Sequence, residues 1–304
     1  RQVSSAASDV YKRQLLDQPQ SKKRFGIEAP QPKPSREKRP CSFSVTQVGI
    51  WLRNPYAIYA KKILRLEPLD PIDRMPSPID RGNFIHQALE AFVSEGIPGN
   101  NNEALASLID KGREIFSTTF EDPVVWAFWW PRFKRIAEWF VQQEAEERQN
   151  RIASHVEKKG VWHFILNGRP VQLRATADRI DQMRNDEWVI IDYKTGAIPS
   201  KREVEAGLAP QLPLEAVLLA KGGFKNLPAK ECSELRYYHL TGGKTSGKVH
   251  SFTADSLLVD VEKGLLKLLN DFDNPEMPYL YAPDYGTKPI FDDYGHLARV
   301  KEWR

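Results

Sequence analysis

The sequence predicts an α/β fold in which helices flank a mixed central β-sheet and helical insertions interrupt it. Three observations predict this class. Helical periodicity dominates the chain up to about residue 149, strand patterns follow from about residue 162, and an apolar stretch of helical length at 210–220 separates the first strands from the last two. The 304 residues, of which 41% are hydrophobic, are enough to bury one large core.

Four helical patterns precede the strands. Pro55 fits the first turn of the first one, because a proline there loses no hydrogen bond, and Phe84, Ile85 and Leu89 repeat at helical spacing in the second. We expect these helices at residues 55–64, 79–95, 103–116 and 131–149. Their apolar sides are expected to face the sheet.

The strand patterns begin with a hairpin. Asn167-Gly168 is a strong signal for a two-residue turn, so residues 162–166 and 170–175 are expected to pair, and the meander continues into the β-branched run before Asp192. The remaining elements are expected to be a helix at 210–220, strands at 235–240 and 248–252, and a helix at 254–270.

The first 40 residues differ in composition from the rest. Four prolines alternate with basic residues at Pro30, Pro32, Pro34 and Pro40, which is typical of a disordered linker. Residues 1–14 resemble a translated sequencing-adapter artefact and carry no functional information. The folded domain is therefore expected at 41–304, and because Arg1 is not methionine, a further region is expected upstream.

Composition limits the classes of function. The net charge of +4 permits binding to nucleic acid but does not demand it. No stretch approaches the roughly 20 apolar residues of a membrane span, no secretory signal opens the chain, and two cysteines are typical of a reducing compartment. We expect a cytoplasmic protein with no membrane contact.

The most informative motif is the pair Asp192 and Lys194 at the end of the predicted strand. Side chains alternate across a strand, so these two share one face while Tyr193 points to the other. A carboxylate beside an ammonium at the end of a buried strand is typical of metal-dependent nucleases.

A second carboxylate lies upstream on the strand that returns to Asp192. A tight turn at 185–187 leaves room for Asp178 to meet Asp192. Spacing alone does not exclude Asp181, which lies on the opposite face from Asp178. These acids could instead be solvated charges of a hairpin.

A histidine helix supplies the third component. Gly82, His86 and Glu90 recur four residues apart on one helical face. Gly82 permits close approach of another segment, and Glu90 is placed to orient the imidazole of His86. The alternative is a structural histidine without a ligand.

Four features follow one another along the chain: Gly82-x-x-x-His86, Asp178, Asp192-Tyr193-Lys194 and Gln211. In this order they resemble the motifs of the PD-(D/E)xK nuclease superfamily in its RecB-like branch. The resemblance spans roughly residues 42–304 and implies a restriction-endonuclease-like core. Within the branch, the chain is most similar to the carboxy-terminal nuclease domains of the AddB family. That similarity includes Ser44-Val45-Thr46, Asn54-Pro55-Tyr56 and Gln211-Leu212-Pro213-Leu214.

The resemblance implies roles for individual residues. His86, Asp178, Asp192 and the main-chain carbonyl of Tyr193 would bind Mg²⁺, and a histidine ligand also admits Mn²⁺. Lys194 would position or deprotonate the attacking water. Gln211 would lie near the DNA.

Two positions depart from the family pattern. Glu215 stands where relatives often have a tyrosine, which puts the DNA contact of this motif in doubt. Some relatives hold an iron–sulfur cluster with four cysteines, whereas this chain has Asn54 at the first of those positions and only Cys41 and Cys232 in total. We expect no iron–sulfur cluster.

The expected function is a Mg²⁺-dependent DNA exonuclease domain in an AddAB-type helicase–nuclease of double-strand break repair. Its partners would be DNA, either single-stranded or an unwound duplex end, and an AddA-type helicase–nuclease subunit. The alternatives are a nuclease fold retained as a non-catalytic DNA-binding or scaffold module, and a stand-alone RecB-like exonuclease of CRISPR or phage type.

Overall fold

In the part of the chain that the structure describes, a six-stranded mixed β-sheet forms the centre of the protein. The structure is a computed structural model and describes residues 27–69, 75–119, 123–282 and 293–303. Residues 1–14, the expected artefact, lie outside this part. The strands are β1 (Ser42–Ser44), β2 (Arg151–Leu166), β3 (Arg169–Met183), β4 (Trp188–Lys194), β5 (Glu234–Leu240) and β6 (Gly247–Thr253).

The sheet has the order β1-β3-β4-β5-β6, and β2 pairs with the other edge of β3. Because β2 occupies one edge of β3 along its length, β1 and β4 share the opposite edge. Pairing is parallel for β1 with β3 and for β4 with β5, and antiparallel for the other pairs. The predicted mixed α/β sheet is confirmed.

Strand β4 lies inside the sheet because its sequence is apolar on both faces. Its first six residues are buried, as expected for a strand covered by helices on both sides. Ile190 belongs to the apolar core on one face, and Ile191 belongs to the core on the other. This alternation also decides which face each polar residue at the end of β4 occupies.

Helices cover both faces. The helix α1 (Val45–Arg53) contributes Val48 and Trp51 to the core that contains Ile190. The core on the opposite face of the sheet contains residues of the histidine helix and of the two helices that follow it in the chain. The remaining helices are α2 (Pro55–Ile58), α3 (Pro78–Ser94), α4 (Asn101–Thr119), α5 (Pro123–Glu147), α6 (Lys201–Glu205), α7 (Gln211–Ala220) and α8 (Asp255–Asp273). None of the helices in the described ranges has both the length and the apolarity to cross a bilayer.

Some element boundaries differ from the prediction. Pro131 was expected in the first turn of a helix but lies inside α5, which begins at Pro123. The helix extends upstream of Pro131 because Trp126 and Trp130 pack against Phe116 of α4. Strand β2 begins at Arg151 rather than near residue 162, because β3 supplies a partner along its whole length.

The segment before β1 packs against α8, although it was expected to belong to a disordered linker. Arg39 is 3% exposed. Its guanidinium donates hydrogen bonds to the carbonyl oxygens of Phe272 at 2.9 Å, Pro275 at 2.7 Å and Met277 at 3.0 Å. The local sequence is polar and proline-rich, so only the tertiary contacts reveal this order.

Candidate active site

Asp192 and Lys194 meet at the end of β4, as their shared face predicts. The Lys194 Nζ donates a hydrogen bond to Asp192 Oδ1 at 2.8 Å and lies 2.7 Å from Oδ2. Asp192 is 2% exposed. Burial raises the pKa of Asp192 to about 6, and the charge of Lys194 opposes that shift.

Asp178 lies on β3 next to the end of β4. Its Oδ2 accepts a hydrogen bond from the main-chain N–H of Tyr193 at 2.8 Å. This bond lies just beyond the register pair Arg179 with Ile191, where the ladder between β3 and β4 ends. The side chain of Asp178 therefore continues the pairing and holds the end of β4 in place.

The structure distinguishes Asp178 from Asp181, which spacing left open. Asp181 lies on the opposite face of β3 and pairs with the fully buried Arg179, with Nε 2.7 Å from Oδ1. Burial raises the pKa of Asp181, but the charge and hydrogen bond of Arg179, the charge of Arg151 and the hydrogen bond of Ser154 together outweigh burial, so the net shift is downward. Asp181 thus belongs to a buried ion pair and does not reach Asp192.

His86 reaches Asp178 from α3. Its Nδ1 is 3.4 Å from Asp178 Oδ2, and its ring contacts Tyr193 edge to face at 5.8 Å between centroids. Burial lowers the pKa of His86, but the hydrogen bond and the charge of Asp178 outweigh burial, so the net shift is upward. A Cβ at Gly82 would lie 3.1 Å from Thr195 Oγ1, which explains why the helix can approach the end of β4.

Asp178 lies at the Nδ1 of His86, and the orientation of the imidazole by Glu90 stays a prediction. The charge of Glu90 acts on Glu157 of β2. Glu157 lies between the register pairs Val156 with Arg179 and Lys158 with Ala177, and so faces Asp178 across the strands. Burial raises the pKa of Glu157, and the charges of Asp178 and Glu90 raise it further. Sequence reasoning missed Glu157, since the weak alternation of residues 151–161 gave no strand signal.

Gln211 and Glu215 approach Asp192 from the first turns of α7. Gln211 Nε2 donates to Asp192 Oδ1 at 3.0 Å and lies 3.3 Å from Glu215 Oε1. Glu215 is 1% exposed, and its Oε2 has no hydrogen-bond partner among the described residues. Burial raises the pKa of Glu215 well above its usual range, and the charges of Asp192 and Asp178 add to that shift. The four-residue spacing from Gln211 was visible in the sequence, but burial of Glu215 was not.

The model of the PD-(D/E)XK nuclease superfamily matches residues 42–283. The chain belongs to this superfamily. The matched region contains every residue of the site described above. Nuclease activity is therefore the class of function that the family indicates.

Relatives of this superfamily member are found in Rickettsia. An uncharacterized protein of Rickettsia typhi is 34% identical over 207 residues, which cover 66% of this chain and 24% of that protein. An uncharacterized protein of Rickettsia bellii is 34% identical over 185 residues, covering 61% and 22%. The chain thus spans about a quarter of the length of these relatives. The crystal structure of SSO0001 aligns with 83% of the chain at 10% identity and a TM-score of 0.35, a likeness that supports no conclusion.

PD-(D/E)XK nucleases typically use Mg²⁺ or Mn²⁺, and the donor atoms of this site suit such a cation. Carboxylate oxygens are the ligands that these cations prefer, and a histidine ligand also admits Mn²⁺. The buried Asp192 Oδ2 accepts no hydrogen bond of normal geometry from the residues that the structure describes. Within the described ranges, however, no three His, Cys, Asp or Glu side chains already stand in a metal-binding arrangement. The convergence of His86, Asp178 and Asp192 on one cation stays a prediction.

Proposed function

We propose that this chain is a metal-dependent deoxyribonuclease domain that hydrolyses phosphodiester bonds from a DNA end. The observation that supports the proposal is that Asp192 and Lys194 are in direct contact at the end of β4, where Asp178 accepts a hydrogen bond from the N–H of Tyr193 between them. Two acids and a lysine at one buried strand end match the chemistry of phosphodiester hydrolysis, in which negative charge develops on phosphate oxygens.

In this proposal His86, Asp178, Asp192 and the main-chain carbonyl of Tyr193 hold Mg²⁺ or Mn²⁺. When bound, the cation activates water and offsets charge on the phosphate. Lys194 places a compact positive charge beside the phosphate. Gln211 fixes the orientation of the Asp192 carboxylate through its hydrogen bond, and the N–H of Tyr193 does the same for Asp178.

The cleavage assay compares matched variants on single-stranded DNA with Mg²⁺. We expect Asp192→Asn and Lys194→Met to lose at least about 100-fold in rate, the scale found when one electrostatic partner of a transition state is removed. Lys267→Met is the control, because its side chain is 76% exposed on α8. Equal rates for Lys194→Met and wild type would remove the assigned site and favour a non-catalytic DNA-binding module.

Linear and circular single strands separate exonuclease from endonuclease action. An enzyme that requires an end degrades the linear strand and leaves the circle intact. Degradation of both at similar rates would contradict the exonuclease part of the proposal while leaving the assigned residues in place.

We further propose that the domain works within an AddAB-type helicase–nuclease, with an AddA-type subunit as partner, in double-strand break repair. Support comes from the sequence resemblance and from relatives that are about four times as long as the matched region. The test is to recover the complete reading frame and to purify its product with a candidate helicase subunit. A complete protein without a helicase-like region and without such a partner would favour a stand-alone exonuclease.

A further inference from the structure

A partly enclosed cavity of about 190 Å³ lies beside the candidate active site, between α1 and the start of α7. Its walls are mostly apolar and include Gly49, Ile50, Leu208 and Pro210. Lys194 and Gln211 line the same cavity. A group bound in it would therefore be adjacent to a phosphodiester positioned at Lys194.

The charges around the cavity do not favour an anion there. Arg53 lines it, but its guanidinium is already paired with Glu203, with Nη2 3.0 Å from Oε1. Lys194 is paired with Asp192. A second phosphate of the DNA backbone would thus find no free cation among these lining residues.

One lining residue lacks a hydrogen-bond partner. Asn54 is 2% exposed, and its Nδ2 has no acceptor among the described residues, whereas its Oδ1 accepts a hydrogen bond from the N–H of Ala282 at 3.4 Å. An unpaired buried amide donor is costly. A neutral ligand with a carbonyl oxygen would relieve that cost.

The size of the cavity suits a flat ring. An apolar cavity of about 150 Å³ in another protein binds benzene, so about 190 Å³ leaves room for a six-membered heterocycle with its exocyclic groups. Apolar walls with a few polar groups are the usual lining of a small-molecule site.

We propose that this cavity binds the nucleobase next to the phosphodiester held at Lys194, so that the domain selects an unpaired nucleotide. The inference rests on the proposed function, because it takes DNA as the ligand. A base inside the cavity cannot pair with a complementary strand, and removing a base from a duplex costs the free energy of its pairing and stacking. Single-stranded ends are therefore bound in preference to blunt duplex ends.

The test combines a protein variant whose side chain fills the cavity with DNA strands that lack one base. Gly49→Leu places a side chain into the cavity, since a Cβ at Gly49 would lie 3.6 Å from Pro210 Cδ, an ordinary contact. Gly264→Leu is the matched control, because a Cβ at this exposed helical glycine would have nothing within 4 Å. The probes are short single-stranded oligonucleotides with one abasic site, scanned along the strand, and binding is measured by fluorescence anisotropy in a chelator.

For wild type and Gly264→Leu we expect one abasic position to weaken binding by about tenfold, the scale of one stacked base. Gly49→Leu should bind the intact and the abasic strand equally. If Gly49→Leu keeps the wild-type ratio, or if no position of the strand matters to wild type, the proposal is wrong. If Gly49→Leu unfolds at a lower temperature than wild type, Gly49→Ala takes its place. Its ratio of intact-strand to abasic-strand affinity should lie between the wild-type ratio and one.

Failure of this inference is distinguishable from failure of the proposed function. Binding is measured without metal and without cleavage, whereas the proposed function is decided by the rates of Asp192→Asn and Lys194→Met. If the protein cleaves DNA but no abasic position weakens binding, only the proposal of a base-binding cavity is wrong. If the protein has no nuclease activity but an abasic site weakens binding and Gly49→Leu abolishes that effect, the base-binding cavity is supported and the proposed enzymatic function is wrong.

A second arm tests the role of Asn54. Thymine is compared with a nonpolar ring of the same shape that lacks the carbonyl oxygens. We expect the nonpolar ring to bind about fivefold less tightly, because it leaves the amide of Asn54 without an acceptor. Equal binding would exclude Asn54 from base recognition.

Discussion

Glu215 occupies an environment unlike that of an ordinary glutamate. The residue is 1% exposed, and among the residues that the structure describes one of its oxygens accepts a hydrogen bond from Gln211 alone, at 3.3 Å. Burial raises the pKa of Glu215 well above its usual value of 4.5, and the nearby charges of Asp192 and Asp178 add to the shift. A carboxyl group in this position favours its protonated form, and its ionisation opposes folding.

This environment predicts a pH-dependent gain in stability for Glu215→Gln. Because the folded pKa lies above the unfolded value of 4.5, the folded protein holds a proton that the unfolded chain releases, and stability falls as pH rises through that window. The variant should gain about 1–3 kcal/mol at pH 8, the scale of an unsatisfied buried group, and less at pH 5. Urea unfolding in a chelator measures both.

Glu205→Gln is the control for this change, since the Glu205 side chain is 60% exposed. Its stability should follow that of wild type within about 0.5 kcal/mol at both pH values. A gain for Glu215→Gln that is the same at pH 5 and pH 8 would contradict the assigned ionisation.

The acids of the site also predict a response to metal. The charge of Asp178 disfavours ionisation of Asp192, so a cation between them should stabilise the folded state. Mg²⁺ at about 100 times its Kd would add about 2.7 kcal/mol, which raises the Tm by several degrees. Calorimetry with and without a chelator should show this rise for wild type and not for Asp192→Asn. An equal rise in both proteins would place the cation elsewhere.

Among the secondary-structure elements, β3 and α5 are joined by a buried ion-pair network behind the site. Arg179 Nη1 lies 2.6 Å from Glu144 Oε1, and Arg179 Nη2 donates to Asp181 Oδ2 at 2.7 Å. Arg151 of β2 adds a second cation, 2.6 Å from Glu144 Oε2. The network stabilises β3, the strand that carries Asp178.

Removal of Arg179 should therefore destabilise the fold. Arg179→Met leaves Glu144 and Asp181 buried with fewer cationic partners, and loss of one member of a buried pair typically costs about 3–5 kcal/mol. Arg174→Met, on the exposed side of the same strand, should cost less than about 0.5 kcal/mol. Urea unfolding compares them, and similar losses for both variants would show that the network contributes little.

For the whole molecule, the segment before β1 is fastened to the end of α8. Arg39 donates to three carbonyl oxygens there and lies over the ring of Tyr279, 5.2 Å from its centroid. Arg36 adds an ion pair with Asp273 at 2.8 Å. Residues distant in sequence thereby hold the segment before β1 against the end of α8.

Arg39→Met should lower the stability of the protein by about 2–3 kcal/mol, because buried carbonyl groups would lose their donors. Lys38→Met changes an exposed neighbour and should stay within about 0.5 kcal/mol of wild type. Thermal unfolding measures both. If the two variants melt together, the segment is not part of the cooperative fold.

Much of the fold followed from local patterns. The hairpin turn at Asn167-Gly168, with φ of 48° and 77°, is confirmed, as are the helix at Pro78–Ser94 and the strands β5 and β6. These elements carry strong periodicity or specific turn residues, so neighbouring residues alone specify them. Helix α1 and the first half of β2 were missed, because their patterns are weak and their order comes from contacts with distant strands.

The sequence alone determined the mixed α/β class and the facing pair of Asp192 and Lys194, because period-two alternation acts within a single strand. Only the tertiary structure decided that Asp178, and not Asp181, contacts the end of β4, that Glu157 faces Asp178, and that Glu215 is buried near Asp192. These placements depend on the register between strands and on burial by distant helices, and neither is a property of neighbouring residues.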